Sequence, residues 1–325
     1  DHCLSVPDDE LMAPHRHNLP EWLAVALREQ VGEEFDALVK SLEQMAALDL
    51  RVNPLKKKRD AVLVDLRQAG LACEPTPFSP LGIRLQGKPA LAKVPSFVQG
   101  DVEVQDEGSQ LLAMLLDAKR GEMVVDFCAG AGGKTLAIGA AMRNSGRLYA
   151  FDTSAHRLDG LKPRLARSGL SNVHPVAIAH ERDDRVKRLA GKIDRVLVDA
   201  PCSGLGTLRR SPDLKWRQTP ATVEAQARLQ TDILNSAARL LKPGGRLVYA
   251  TCSLLPQENE AIAQAFTEAH PDFEPLSAQA LLEAAHVEQA SSLTTGISPA
   301  SYLRLWPHRH GTDGFFAAIW QKSRD

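Results

Sequence analysis

The chain has 325 residues, 44% of them hydrophobic and 24% charged, which excludes a wholly disordered polymer and fits about two domains. Lys and Arg number 39 against 40 Asp and Glu, a net charge of -1, so no overall basic field argues for nucleic acid, although a local basic groove stays compatible with it. No apolar run approaches the ~20 residues of a membrane span.

The first residues, to about Asn18, carry Pro, His and acidic residues without periodicity and read as a tail. Two helical patterns follow, Trp22 to Leu27 before Gly32 and Phe35 to Met45, which could cap a domain or bridge to another one. Residues 1–49 are taken as tail and helices, and 50–104 as a small α+β module: a strand-like run at Leu50, Val52 and Leu55, a basic cluster Lys56 to Arg59, a helix ending at Gly70, and short strands such as Gly82–Leu85. From residue 105 to the end, helix and strand patterns alternate. Strands are expected at Met123–Phe127, Arg147–Phe151, Val173–Ile178, Arg195–Val198 and Arg246–Ala250, with helices at Lys134–Met142, Ala155–Arg167 and Thr222–Leu241. That order predicts an α/β, doubly wound, mostly parallel sheet. Tyr302–Leu305 and Gly314–Trp320 suit an antiparallel pair added at its edge.

The five cysteines, Cys3, Cys73, Cys128, Cys202 and Cys252, are odd in number, widely spaced and without a CxxC pair. A disulfide framework and a zinc site are therefore poor readings. Buried or catalytic thiols in a reducing, cytoplasmic setting remain. The chain starts at Asp1 rather than Met and reads as part of a longer polypeptide.

Three strand ends carry chemistry. After the first strand, Cys128-Ala129-Gly130-Ala131-Gly132-Gly133-Lys134 is a glycine loop opening a helix. A P-loop fails, because Cys128 stands where it needs Gly, and the GxGxxG pattern fails at Thr135. Asp152, about 20 residues on at the end of the second strand, can accept ribose hydroxyls. A nucleoside without a pyrophosphate, such as S-adenosylmethionine, fits both observations. The second and third ends are Asp199-Ala200-Pro201-Cys202 and Thr251-Cys252-Ser253. Each cysteine alone is more often a buried apolar thiol. Two at strand ends beside a nucleoside loop favour a shared pocket. A thiolate suits one reaction in particular: added at C6 of a pyrimidine, it makes C5 nucleophilic toward a sulfonium methyl. That chemistry needs a nucleophilic thiolate, an acid near N3 and a group for proton removal, and Cys252, Cys202 and Asp199 offer these types.

The run Arg209-Arg210-Ser211-Pro212-Asp213-Leu214-Lys215-Trp216-Arg217 combines cations with an aromatic, as phosphates and a stacked base require. A solvated loop anchored by a buried Trp216 explains it equally well. The cluster starting at Lys56 is a weaker signal of the same kind.

These residues resemble the NOL1/NOP2/Sun RNA cytosine-5 methyltransferases, in the RsmB-like branch. The likeness spans about residues 50–325 and rests on Val104-Gln105-Asp106-Glu107-Gly108-Ser109-Gln110-Leu111, the glycine loop, Asp-Ala-Pro-Cys-Ser-Gly, Lys215-Trp216-Arg217, Thr-Cys-Ser followed by Glu258-Asn259-Glu260, and His310 to Phe316. The resemblance implies a class I methyltransferase domain, Rossmann-like with antiparallel C-terminal edge strands, preceded by an RNA-binding module. It implies S-adenosylmethionine held by Cys128 to Lys134, Asp152, Arg157, His180 and Asp199. Cys252 would be the nucleophile, Asp199 the acid and Cys202 the aid to product release, with RNA contacts from Lys56, Arg209, Arg210, Lys215, Trp216 and Arg217. The expected partner is RNA, ribosomal RNA first, for a monomer without a membrane anchor. A transfer-RNA cytosine-C5 methyltransferase and a non-catalytic RNA-binding assembly factor are the alternatives. Two departures stand out. The family loop usually reads Ala-Pro where this chain has Gly130-Ala131, and His180 falls where the family has an acid near the adenine, a place Asp183 or Asp184 would have to fill.

Overall fold

The computed structural model describes residues 17–296 and 301–324, so most of the expected N-terminal tail, with Cys3, lies outside the described residues. Helix α1 (Glu21–Val31) buries Leu23, Leu27 and Val31, and helix α2 (Phe35–Glu43) buries Phe35, Leu38, Val39 and Leu42. The spacing of three and four puts each set on one helix face. Both faces pack against Leu205, Leu208, Val223, Leu254, Leu255 and Trp306. Of the two roles left open for these helices, the structure gives the first: they cap the domain that carries the cysteines.

Strands β1 (Leu48–Val52), β2 (Cys73–Pro75), β3 (Gly82–Leu85) and β4 (Val102–Val104) form an antiparallel sheet in the order β2-β3-β1-β4. Helix α3 (Arg59–Gln68) lays Val62, Leu63 and Leu66 on it, and with Leu50, Val52, Ile83 and Leu85 they make a separate small core. The module is seated by charge as well as by packing. Arg84 donates to both carboxylate oxygens of Asp49, at 2.8 and 2.9 Å. The fully buried Glu107 accepts the backbone N–H groups of Phe78 and Ser79 at 2.6 and 2.7 Å.

Helix α4 (Glu107–Leu115), N-capped by Asp106, leads into the larger sheet. Its parallel part comprises β5 (Met123–Phe127), β6 (Arg147–Asp152), β7 (Val173–Ala177), β8 (Ile193–Asp199) and β9 (Leu241–Thr251). Helices α5 (Gly133–Ala141), α6 (Ala155–Ser168) and α7 (Pro220–Ala238) connect the strands. After β9 come α8 (Glu260–Ala269), β10 (Phe273–Pro275), α9 (Ala278–Ala284), β11 (Thr294–Thr295), β12 (Tyr302–Leu305) and β13 (Phe315–Lys322). The spatial order is β11-β12-β13-β9-β8-β5-β6-β7. Strand β13 runs antiparallel to β9 and to β12, the edge pair the sequence pattern suggests. This is a Rossmann-like doubly wound sheet, and its two hydrophobic layers lie on opposite faces.

The strand ends differ from expectation at β9. It begins at Leu241 rather than Arg246, and the preceding helix stops at Ala238. Pro243-Gly244-Gly245 reads as a turn, but it lies inside the strand, where the pairing with β8 shifts register between Ile193 and Arg195. Gly244, with φ of 75°, supplies the left-handed residue such a bulge needs.

Candidate active site

The chain reverses its direction of winding between β5 and β8. In open α/β sheets a ligand crevice lies outside the carboxyl ends of the strands at that point. A cleft of about 990 Å³ opens there. Its walls include Cys128 to Ala131, Gly133 and Lys134 from the loop after β5, Asp152 from β6, Asp199 and Cys202 from β8, and Cys252 from β9. Arg157 and His180 line it too. Gly132 does not: with φ of 84° it lies against Leu161, where a Cβ would come within 2.2 Å of that side chain. It shapes the loop without facing the cleft.

The loop is held in a conformation most residues avoid. Cys128, which is not a glycine, has φ of 71°. Such a position persists only when its surroundings enforce it. Ala129 N–H donates to Phe151 O at 2.7 Å, and Gly130 N–H donates to Asp152 Oδ2 at 2.7 Å. The other Asp152 oxygen accepts Ser154 N–H at 2.7 Å. Asp152 is thus oriented by two backbone donors and retains lone pairs for ligand hydroxyls. Where the family carries Pro, Ala131 is fixed from outside the loop: Arg164 Nη1 donates to its carbonyl at 2.5 Å, and Arg51 of β1 donates to Gly133 O at 3.3 Å.

Under the loop, Asp126 is fully buried and bonded to Thr135 Oγ1 at 2.6 Å. Burial pushes its carboxyl up to about 7. Lys134 Nζ meets Asp199 Oδ2 at 2.7 Å. Burial alone would lower the ammonium's pKa, but Asp199 outweighs it and the group stays charged.

The two thiols sit side by side, Cys202 Sγ 3.4 Å from Cys252 Sγ. They arrive from adjacent parallel strands, as the strand-end argument required. The thiol contact with Cys252 and then burial raise the Cys202 pKa well above that of a free cysteine, and either sulfur can be the donor in the contact. Gly206 N–H donates to Cys252 O at 2.8 Å, and a Cβ on Gly206 would lie 2.7 Å from that oxygen. Only glycine permits this approach.

The cleft suits a nucleoside bearing an amino-acid tail. It has a glycine loop for backbone approach and an oriented acid at the end of β6. Gln105 Oε1 is buried on its wall with no donor among the described residues, an acceptor suited to an ammonium group. Of the two acids expected to substitute near His180, neither is free among the described residues. Asp183 is spent on the backbone N–H groups of Ala179 and Arg185, and Asp184 pairs with Lys187. Glu181, which sequence reasoning passed over, lines the cleft beside Ile178 and His180.

The cationic run is less available than its sequence suggests. The Arg209 side chain is 7% exposed and pairs with Asp313 at 3.2 Å. Arg210 edges the cleft, but it donates to Asp313 at 2.5 Å and to Asp106 at 3.1 Å. Lys215 is buried, and Lys56 donates to the carbonyls of Gln99 and Arg167. Of the cations expected to contact RNA, the Arg209 side chain and Lys215 are buried, whereas Arg210 at the cleft edge and the exposed Lys56 are engaged by protein acceptors. The little-exposed carboxylate of Asp313 is paired by Arg209 and Arg210, and that of Asp106 by Arg210. Trp216, 56% exposed, and Arg217 remain on the surface, so the reading of Trp216 as a buried anchor fails.

Comparison with known proteins agrees with this geometry. The family model described as 16S rRNA methyltransferase RsmB/F matches residues 113–321, and that of the RsmF/B-like ferredoxin-like domain matches 19–92. A probable ribosomal RNA small subunit methyltransferase B of Synechocystis is 37% identical over 97% of this chain and 69% of its own length. Its Bacillus subtilis counterpart is 34% identical over 93% of this chain and 66% of its own length. The chain thus spans about two thirds of these relatives. A crystal structure titled as a methyltransferase homolog protein from Pyrococcus horikoshii superposes with a TM-score of 0.81 at 29% identity, covering 95% of this chain and 97% of that one. With both modules matched in order, the chain belongs to the RsmB/F family of 16S rRNA methyltransferases, whose cofactor is S-adenosylmethionine.

Proposed function

We propose that this protein methylates C5 of a cytosine in small-subunit ribosomal RNA through a covalent adduct on Cys252. The observation that carries the reading is the pair of sulfurs 3.4 Å apart at the floor of the cleft, beside the Lys134–Asp199 ion pair. The Cys252 sulfur, as thiolate, bonds to C6 of the base, and the C5–C6 π electrons move to C5. The Lys134–Asp199 pair shares a proton at the cleft floor, and Asp199, once it has taken that proton from Lys134, can donate it toward N3 of the ring and offset that charge. S-adenosylmethionine, when bound, supplies the electrophilic methyl group for C5. Release needs the C5 proton removed: its C–H electrons restore the double bond, and the C6–S bond breaks to return the Cys252 thiolate. Cys202 serves this step as thiolate: the contact with Cys252 that holds its proton is lost once that sulfur is bonded to carbon, the Cys202 proton passes to solvent in the cleft, and the freed sulfur takes the C5 proton. Trp216 and Arg217 are the exposed aromatic and cation available to RNA outside the cleft.

Ribosomal RNA is favoured as substrate by the names of the relatives, and the paired thiols favour catalysis over a purely binding role. The test uses tritiated S-adenosylmethionine with unmodified 16S rRNA, free and in small subunits, and locates the product by bisulfite sequencing. Label at one cytosine is expected. Label confined to transfer RNA, or absent from cytosine, would overturn the reading.

A further inference from the structure

One buried acid is used by none of these steps. Glu258 lies on the short turn after Thr251-Cys252-Ser253 and is fully buried. Oε1 accepts Ser203 N–H at 2.8 Å and Gln230 Nε2 at 3.0 Å. Oε2 accepts Ser203 Oγ at 2.5 Å and the Ser253 hydroxyl. An ionised carboxylate accepts about four hydrogen bonds, and here four donors surround it. Ser203 follows Cys202 and Ser253 follows Cys252, so a single carboxylate grips the residue after each thiol, on two loops 50 residues apart in sequence. The grip is itself braced. Gln230 Nε2 also donates to Pro201 O at 3.0 Å, and Tyr249 Oη donates to Glu258 O at 2.5 Å while lying 3.1 Å from Gln230 Oε1.

We propose that Glu258 is a positioning residue that sets the distance between Cys202 and Cys252. This rests on the two-thiol reading above. Adjacent strands bring the loops near each other, and the backbone bond from Gly206 N–H to Cys252 O ties them at one point, while Glu258 joins them through the residues that follow the two sulfurs. The carboxylate also biases the pair electrically. Facing the Cys202 sulfur are Cys252, Glu258 and the Tyr249 phenol, with Lys134 and Asp199 beyond Cys252. The negative charge of Glu258 helps hold the proton on Cys202.

Glu258→Gln tests this, because the amide keeps the shape while Gln230 and the serine hydroxyls can reorient around it. Misplacing a reacting group by about 1 Å costs on the order of 100-fold, so kcat falls 10- to 100-fold while the KM for RNA and the affinity for S-adenosylmethionine change less than about 2-fold. The pH profile for alkylation of Cys202 by iodoacetamide, read by peptide mass spectrometry, shifts to lower pH. Unchanged kcat with an unchanged alkylation profile overturns the proposal. So does a loss of cofactor affinity equal to the loss of kcat, which marks a merely structural role. If E258Q does not fold, the double variant Ser203→Ala, Ser253→Ala removes the gripped hydroxyls and is read in the same way. Failure of the two-thiol reading is a separate result: Cys252→Ala would then retain activity in the wild-type background.

Discussion

In the cleft, Lys134, Cys202 and Cys252 each keep one side on open volume, whereas Arg209 is turned into the protein against Asp313, and Arg210, at the cleft edge, is bound to Asp313 and Asp106. Both regions read from sequence as functional, and Cys202 and the two arginines follow the same strand, β8. They differ in where their partners come from. The cleft residues sit at the ends of neighbouring parallel strands, so the sheet itself brings them together. Arg209 and Arg210 meet acids about a hundred residues away, because α4 and the turn before β13 close over the loop. A charge run is surface only when the fold offers it no buried acid.

The sharpest break between the regions is in activity. Cys252→Ala is expected to lower methyl transfer by at least about 10³-fold with S-adenosylmethionine affinity unchanged, as removal of a nucleophile does. Transfer assayed alongside calorimetric titration of the cofactor checks this. A residual rate above a tenth of wild type would move the nucleophile elsewhere. Arg209→Ala is expected to act on the other side of the comparison. Removing Arg209 leaves Asp313 with Arg210 alone and takes the donor from Gly311 O, so urea denaturation should show a loss of about 1–3 kcal/mol. A change below about 0.5 kcal/mol would return Arg209 to the RNA surface.

A third effect separates the cleft floor from the rest by pH. The Asp126 carboxyl titrates near 7 in the folded protein against 3.8 as a free side chain. The folded state therefore holds a proton that the unfolded chain releases, and stability from this group is greatest below about 4 and declines as pH rises toward 7. Asp126→Asn should flatten the stability curve between pH 4 and 7 relative to wild type, measured by denaturant titration at several pH values. Parallel curves would contradict the neutral, buried carboxyl. The smallest effect is expected at Arg217, whose side chain is 73% exposed and whose i,i+4 pair with Asp213 at 2.7 Å is a surface one. Arg217→Ala should change stability by less than about 0.5 kcal/mol and reduce the salt slope of RNA binding by about 1. An unchanged slope would remove Arg217 from the interface.

Much of the sheet was legible because its strands are short apolar runs between turn residues, and β5 and β12 fall on the expected residues. The glycine loop, Asp152, Asp199 and both cysteines were legible for the same reason, since a strand end is a local feature. Glu258 appeared only as part of a family motif, because nothing in Glu258-Asn259-Glu260 tells that the first acid is buried among serines from two loops. Glu181 was missed because an acid beside His180 looks like solvated surface until β7 and α7 enclose it. The bulge in β9 was hidden by Pro243-Gly244-Gly245, whose composition signals a turn although the pairing with β8 continues through it. In each case the missing information is a contact between distant segments.

The central claim is that the two thiols have unequal roles. It is tested most directly by incubating wild type, Cys202→Ala and Cys252→Ala with S-adenosylmethionine and 16S rRNA, and resolving protein–RNA adducts on denaturing gels. The account predicts that Cys202→Ala accumulates a covalent adduct, because release is impaired, and that Cys252→Ala forms none. An adduct in Cys252→Ala and its absence in Cys202→Ala would reverse the assignment and contradict the account.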